Sequence, residues 1–222
     1  MGRGFDSLRA DHHRFGGPLL IVDPSTLSAE ENYKLLTGMI VPRPIAWVTT
    51  LGSAGQVNAA PFSAFTLVSN QPPMVAISIG RKLGELKDTA RNITAQREFV
   101  VNIANQALLD PLHQSATEYP EDTSEVELLG LATSVSHRVR TPGLADAPVR
   151  MECTLHTTLE LGDAKSLLVI GQVQLFEVRD GLLVNGKIDT RSLDPICRLG
   201  GPLYATLGEF ITQPTLAVTR QI

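Results

Sequence analysis

The chain has 222 residues, 19 basic against 23 acidic side chains for a net charge of −4, and 43% hydrophobic content. That suits one large domain or two small ones with a core needing no staples. The acidic balance argues against nucleic acid as a partner, and 18 glycines with 14 prolines are too few for a fibrous or low-complexity chain. Apolar runs such as residues 19–22 and 167–170 fall far short of the roughly 20 residues a bilayer helix takes. The first residues carry no apolar signal core, and Cys153 and Cys197 form no CxxC or disulfide framework. The expectation is a cytoplasmic protein with no membrane or nucleic-acid partner.

Residues 1–17 read as a loose arm, with His12-His13 and Gly16-Gly17, ahead of a single domain over 18–222. Ser28 to Glu31 spells a capping box, and the helix it starts runs through Leu36 to a C-cap at Thr37-Gly38. Residues 45–51 are β-rich, 52–55 form a turn, and 56–60 make a second strand. Further strands are predicted over 62–68 and 74–79. Asp88 or Thr89 caps a helix to about Arg97, 99–103 returns as a strand, and 107–114 is helical. Residues 149–161 alternate, with Val149, Met151, Cys153, Leu155, Thr157, Leu159 and Leu161 on the apolar face. Residues 162–165 turn the chain into a long strand over 166–178. This pattern predicts a mainly β fold, an antiparallel barrel with a few short peripheral helices.

Most chemical motifs fail. Residues 181–187 have P-loop spacing, but Ile188 stands where a magnesium-holding hydroxyl belongs, and Asn185-Gly186 is a hairpin signal. No GxGxxG follows a strand, and no HExxH, GxSxG or histidine cluster occurs. No catalytic dyad is expected.

What remains is polar residues at strand ends and helix starts. Thr49 and Thr50 end the first strand, and Asn58, Ala60, Pro61, Phe62 and Ser63 lead into the third, where Pro61 breaks the ladder and leaves neighbouring backbone N–H groups free. Ser78 and Arg81 leave a further strand, and Lys87 and Thr89 open a helix. Residues 81–97 hold Arg81, Lys82, Lys87, Arg91 and Arg97 against Glu85 and Asp88, a local +3. A helix start amid cations and hydroxyls suits a phosphate. Ordinary capping with solvated cations is the alternative. Residues 118–127, with five acidic side chains and no basic one, read as a solvated loop.

These stretches resemble a known family. They are Arg43-Pro-Ile-Ala-Trp-Val-Thr-Thr50, Val57-Asn-Ala-Ala-Pro-Phe-Ser63, Pro72-Pro-Met-Val75, Lys87-Asp-Thr-Ala-Arg-Asn-Ile93 and Phe99-Val-Val-Asn102. Ala147-Pro-Val-Arg-Met-Glu-Cys153, Ile170-Gly-Gln-Val173 and Arg198-Leu-Gly-Gly-Pro-Leu-Tyr204 follow in order. Together, over roughly residues 39–210, they are similar to the flavin reductase-like family. Its members are FMN-binding split-barrel proteins, including the reductase partners of two-component monooxygenases and flavoredoxin-like carriers.

The resemblance implies FMN held non-covalently, with Asn58 and Ala60, Pro61, Phe62 and Ser63 along the ribityl chain and ring edge. It places Thr49, Ser78, Arg81, Lys87 and Thr89 around the phosphate, with Thr50 beside them. Tyr204 is a weaker cofactor-binding candidate, and Trp47 is either a ring neighbour or core. The implied activity is hydride transfer from NAD(P)H to flavin, then electron transfer to free flavin or a partner such as a monooxygenase. A flavoredoxin-like carrier and a non-enzymatic flavin-binding protein are the alternatives. The strand over 166–178 adds a partner question. Leu167, Val169, Val173 and Leu175 lie on one face and Leu168, Ile170, Phe176 and Val178 on the other. A barrel strand hides one face in its own core, so the second needs an outer helix or a second subunit. The resemblance implies a homodimer with flavin near the contact.

Overall fold

The computed structural model describes residues 18–120 and 123–214. The arm expected over residues 1–17 lies outside them. Seven strands make one antiparallel sheet: β1 (Ala46–Leu51), β2 (Val57–Phe62), β3 (Phe65–Asn70), β4 (Pro73–Ile79), β5 (Glu98–Ile103), β6 (Val149–Leu161) and β7 (Ser166–Val178). Their order is β2-β1-β5-β6-β7-β4-β3. Ala46, Val48, Ile77, Phe99, Val101, Cys153, Val169 and Val173, from five strands, share one buried cluster with Ala90 and Ile93. The sheet therefore wraps around a common core, while its edges β2 and β3 stay unpaired with each other. This is a split barrel.

Short helices pack outside, among them α1 (Ala29–Met39), α2 (Asp88–Gln96), α3 (Leu109–Gln114) and α4 (Glu125–Leu128). A second core of Ile45, Trp47, Ala59, Leu112, Val126 and Ile196 lies under α3 and α4. Trp47 is wholly buried there, its indole N–H without a partner among the described residues. It is a core residue, held by its own bulk.

The capping box forms as the sequence predicts, with Ser28 and Glu31 exchanging hydrogen bonds. The helix does not stop at Gly38, however, but runs to Met39. Arg43 supports the slightly longer end, because its guanidinium donates to the carbonyls of Thr37 (2.5 Å) and Ile40 (2.8 Å), groups a helix end leaves open. The strand expected over 62–68 divides, with Phe62 closing β2 and Phe65 opening β3. Neither Asp88 nor Thr89 caps α2. Lys87 is the N-cap residue and makes no side-chain cap bond. Asn185 (φ 51°) and Gly186 (φ 73°) do form the turn of a small hairpin, as a primed turn requires.

The alternation in β6 holds only in part. Leu159 and Leu161 are exposed because the pairing with β5 ends at Thr154, so the strand tip projects past the core with β7 alone. Glu152, expected on the wet face, is fully buried. Its carboxylate accepts from the backbone N–H groups of His137 (2.8 Å), Arg138 (2.5 Å) and Val139 (3.3 Å), which satisfies the charge and pins that loop.

Candidate functional site

Edge strand β2 tolerates Pro61, which has no ladder donor to lose on its open side. The start of that edge is covered by α4. Ser124 Oγ donates to the Val57 carbonyl (2.6 Å), and Ala59 N–H donates to Glu125 Oε2 (3.1 Å). Beyond this cover, Ala60, Pro61 and Phe62 line a cavity of about 320 Å³. Its other walls are the Lys82–Leu86 turn, the start of α2 with Lys87, Asp88 and Thr89, and residues 115–119. Lys82 Nζ reaches Glu118 Oε2 at 3.2 Å and ties two of those walls together. Leu83, at the tip of the turn, is 98% exposed and held at φ 48°, a left-handed position a branched aliphatic residue rarely occupies.

A second cavity, about 440 Å³, adjoins the first along Pro61, Lys87 and Ala116. Arg43, Ser63, Arg198 and Tyr204 line it, with no acidic side chain among the described residues. Arg43 is spent on structure. Besides its two helix-end bonds it donates to Leu199 O (2.8 Å) and to Ser63 Oγ (3.3 Å). Tyr204 hydroxyl meets His113 Nδ1 at 3.0 Å, and the Arg198 guanidinium lies 4.5 Å over its ring.

The structure brings together Asn58, Ala60, Pro61, Phe62, Lys87 and Thr89 around the first cavity and Ser63 and Tyr204 around the second. It leaves the other candidates outside both. Thr49 is buried behind the sheet, donating to Pro142 O (2.7 Å) and accepting from Asn102 (3.3 Å). Thr50 hydroxyl accepts from Asn92 (3.1 Å) and faces Asn58 Oδ1 at 3.4 Å. Ser78 is half-buried in β4, its N–H donating to Ala64 O at 2.9 Å. Arg81 is tied to Glu160, Lys165 O (2.8 Å) and Gly84 O (3.1 Å).

The local +3 is thus largely neutralised: Arg81 pairs with Glu160, Lys82 with Glu118 and Arg91 with Asp88. Lys87 remains, its ammonium without a partner among the described residues, at the start of a helix whose first N–H groups have no side-chain cap. An oxyanion fits these donors. The sequence reading missed Glu125, taking residues 118–127 for a solvated loop. Glu125 is 6% exposed and lines the first cavity. Burial is the main force pushing its carboxyl above the usual range, Asp88 adds to it, and the bonds from Ala59 and Asn58 oppose it. The clue in the sequence was Ser124, a helix N-cap directly before Glu125 and the apolar Val126.

A split barrel with a cavity along its open edge is the fold of flavin reductase-like proteins. The flavin reductase like domain matches residues 38–193, and the chain belongs to the flavin reductase-like family. It is 42% identical to YwrF of Bacillus subtilis over 200 residues, 87% of this chain and 98% of that protein. Among solved structures, nitrilotriacetate monooxygenase component B from Bacillus cereus superposes with a TM-score of 0.86 at 39% identity, covering 89% of this chain and all of that one. The 2-nitrobenzoate 2-nitroreductase NbaA of Pseudomonas fluorescens gives 0.82 at 28% identity, over 91% and 99% of the two chains.

Proposed function

We propose that the protein is a cytoplasmic, NAD(P)H-dependent flavin reductase that holds FMN along the open edge of β2 and delivers electrons to free flavin or a monooxygenase partner. The observation that carries this is Lys87, a cation without a partner among the described residues, at a helix start without a side-chain cap, beside the Ala60–Phe62 edge and between two cavities. Lys87 and the first N–H groups of α2 would hold the phosphate. Ala60, Pro61 and Phe62 would flank the ribityl chain and ring. Bound flavin supplies a two-electron acceptor that releases electrons to a second acceptor. Such chemistry needs positioned rings more than a catalytic dyad, and the Ala60–Phe62 side of the cavity offers backbone and apolar groups for that. The name of the Bacillus cereus relative, a monooxygenase component B, supports the partner class.

A homodimer belongs to this reading. Phe176 is 57% exposed on the outward face of β7, and Leu36, Met39 and Ile40 around the end of α1 are open too. Surfaces of this kind call for cover. Steady-state oxidation of NADH and NADPH, with FMN, FAD or no added flavin, is the test. Flavin-dependent turnover is expected. Stoichiometric flavin binding with negligible nicotinamide oxidation would leave a carrier instead.

A further inference from the structure

Glu125, Asn58 and Thr89 form a buried relay between α4, β2 and α2. Both Glu125 oxygens accept from Asn58 Nδ2, at 2.9 and 2.8 Å, and Asn58 Oδ1 faces Thr89 Oγ1 at 3.0 Å. All three residues line the first cavity and are at most 6% exposed. An ionised carboxylate can only accept, so it dictates which end of the Asn58 amide is nitrogen. The amide oxygen is thereby turned to Thr89, and the Thr89 hydroxyl proton is committed to it. Thr50, which accepts from Asn92, also faces that oxygen, so the chain of donors runs one way.

We infer that Glu125 is a specificity-determining positioning residue: while ionised it holds the Thr89 hydroxyl turned into the protein and keeps it from donating to the anionic group of a ligand in the cavity. This rests on the reading of the cavity as a flavin site. Neutral Glu125 has one O–H to donate, and the Asn58 amide that now presents Nδ2 to it can offer Oδ1 by turning over. The Asn58 amide then reverses, Nδ2 donates to Thr89 Oγ1, and the Thr89 proton is released toward the cavity. Ala59 N–H keeps an acceptor in both states. Loss of the carboxylate charge also removes repulsion of a phosphate. The other charged groups around Glu125 are Lys87, Asp88 and Arg91 on α2, Lys82 and Glu85 of the adjacent turn, Glu118 opposite, and Glu127 on its own helix. Desolvation of Glu125 favours the neutral form and brings the change toward accessible pH.

The test is the ratio of FMN to riboflavin affinity, measured by fluorescence quenching in wild type, Glu125→Gln, Thr89→Val and the double variant. The amide introduced by Glu125→Gln can donate to Asn58 Oδ1 as the neutral acid does. This change should raise the ratio about tenfold, the size of one added hydrogen bond to a charged group. Thr89→Val should remove most of that gain. In wild type the ratio should climb as pH falls through the Glu125 transition. Glu125→Gln should lack that component, since the ionisation of the phosphate is common to both proteins. A folded Glu125→Gln protein whose affinities for both ligands change equally, or not at all, would overturn the inference. Failure of wild type to bind either flavin would instead overturn the function proposed above.

Discussion

The ring of Phe99 on β5 crosses the backbone of Gly171 on β7 so closely that a Cβ on the glycine would stand 2.3 Å from Phe99 Cζ. β6 runs between those strands, and Phe99 spans it within the core. Gly171→Ala should therefore lower stability by about 1–3 kcal/mol, as an extra methyl does in a filled core. In urea melts, Gly171→Ala combined with Phe99→Leu should cost less than the two single changes added together. Strict additivity would show that the contact is not the cause.

That contact was not legible in the sequence, because it joins residues 72 positions apart through strand order. The long strands β6 and β7 were legible, since a period of two persists over many residues and a glycine-bounded turn links them. Pro61 was legible as a break in the ladder, but not as lying within edge strand β2, which runs through it to Phe62. The failures share one origin. Arg81 and Arg91 read as free cations because their carboxylate partners are chosen by the fold or by the helix surface. Glu125 and Glu152 read as solvated for the converse reason, as backbone donors from distant segments make their burial tolerable. Local periodicity reports burial of apolar groups well. It says little about where a charge finds its partner.

Lys87 is expected to distinguish FMN from riboflavin. Lys87→Met keeps the aliphatic stem and removes the ammonium, which has no partner among the described residues. A charge-assisted bond of about 1.5–3 kcal/mol predicts an FMN affinity lower by tenfold or more with riboflavin binding unchanged. Isothermal titration with both ligands measures this, and an equal loss for both would point to damage of the cavity rather than loss of a phosphate contact.

The raised carboxyl of Glu125 makes a prediction for stability as well. A native value above the unfolded one means that the folded protein binds more protons across the interval between them. Wild type should therefore lose stability relative to Glu125→Gln as pH rises from the ordinary value of 4.5 through the raised one, with the difference level on either side. Parallel denaturant melts over that range test the sign. A difference that grows in the opposite direction would mean the ionised form is the favoured one.

Neither cysteine is expected to serve redox chemistry. Cys153 is wholly buried, and burial, aided by the charge of Glu152, drives its thiol far above the ordinary range. Burial also raises the Cys197 thiol. The thiolate is the reactive form, so thiol reagents should label neither site at neutral pH before unfolding. Cys153→Ser, at a modest stability cost from the buried hydroxyl, should keep its flavin and its turnover. A folded, flavin-loaded Cys153→Ser protein without activity would contradict this.

The outward face of β7 yields the last prediction. Leu168 and Ile170 are half-buried there and Phe176 lies open, while Leu159, paired with Leu168 on the adjoining β6, is exposed. No helix among the described residues covers Phe176, which is 57% exposed. If a second copy does, Phe176→Asp places an unpaired charge in the contact, at a cost of several kcal/mol. Light scattering at micromolar concentration should show a wild-type dimer and a mostly monomeric variant. Flavin retention should fall with it, because the proposed dimer sets the flavin near the subunit contact. The variant should keep the native far-ultraviolet circular dichroism of the fold, since Phe176 is outside the core cluster. A wild-type protein that is monomeric with FMN fully bound would refute the dimer. A dimer unaffected by Phe176→Asp would move the contact elsewhere, with the open surface around Leu36, Met39 and Ile40 the next place to probe.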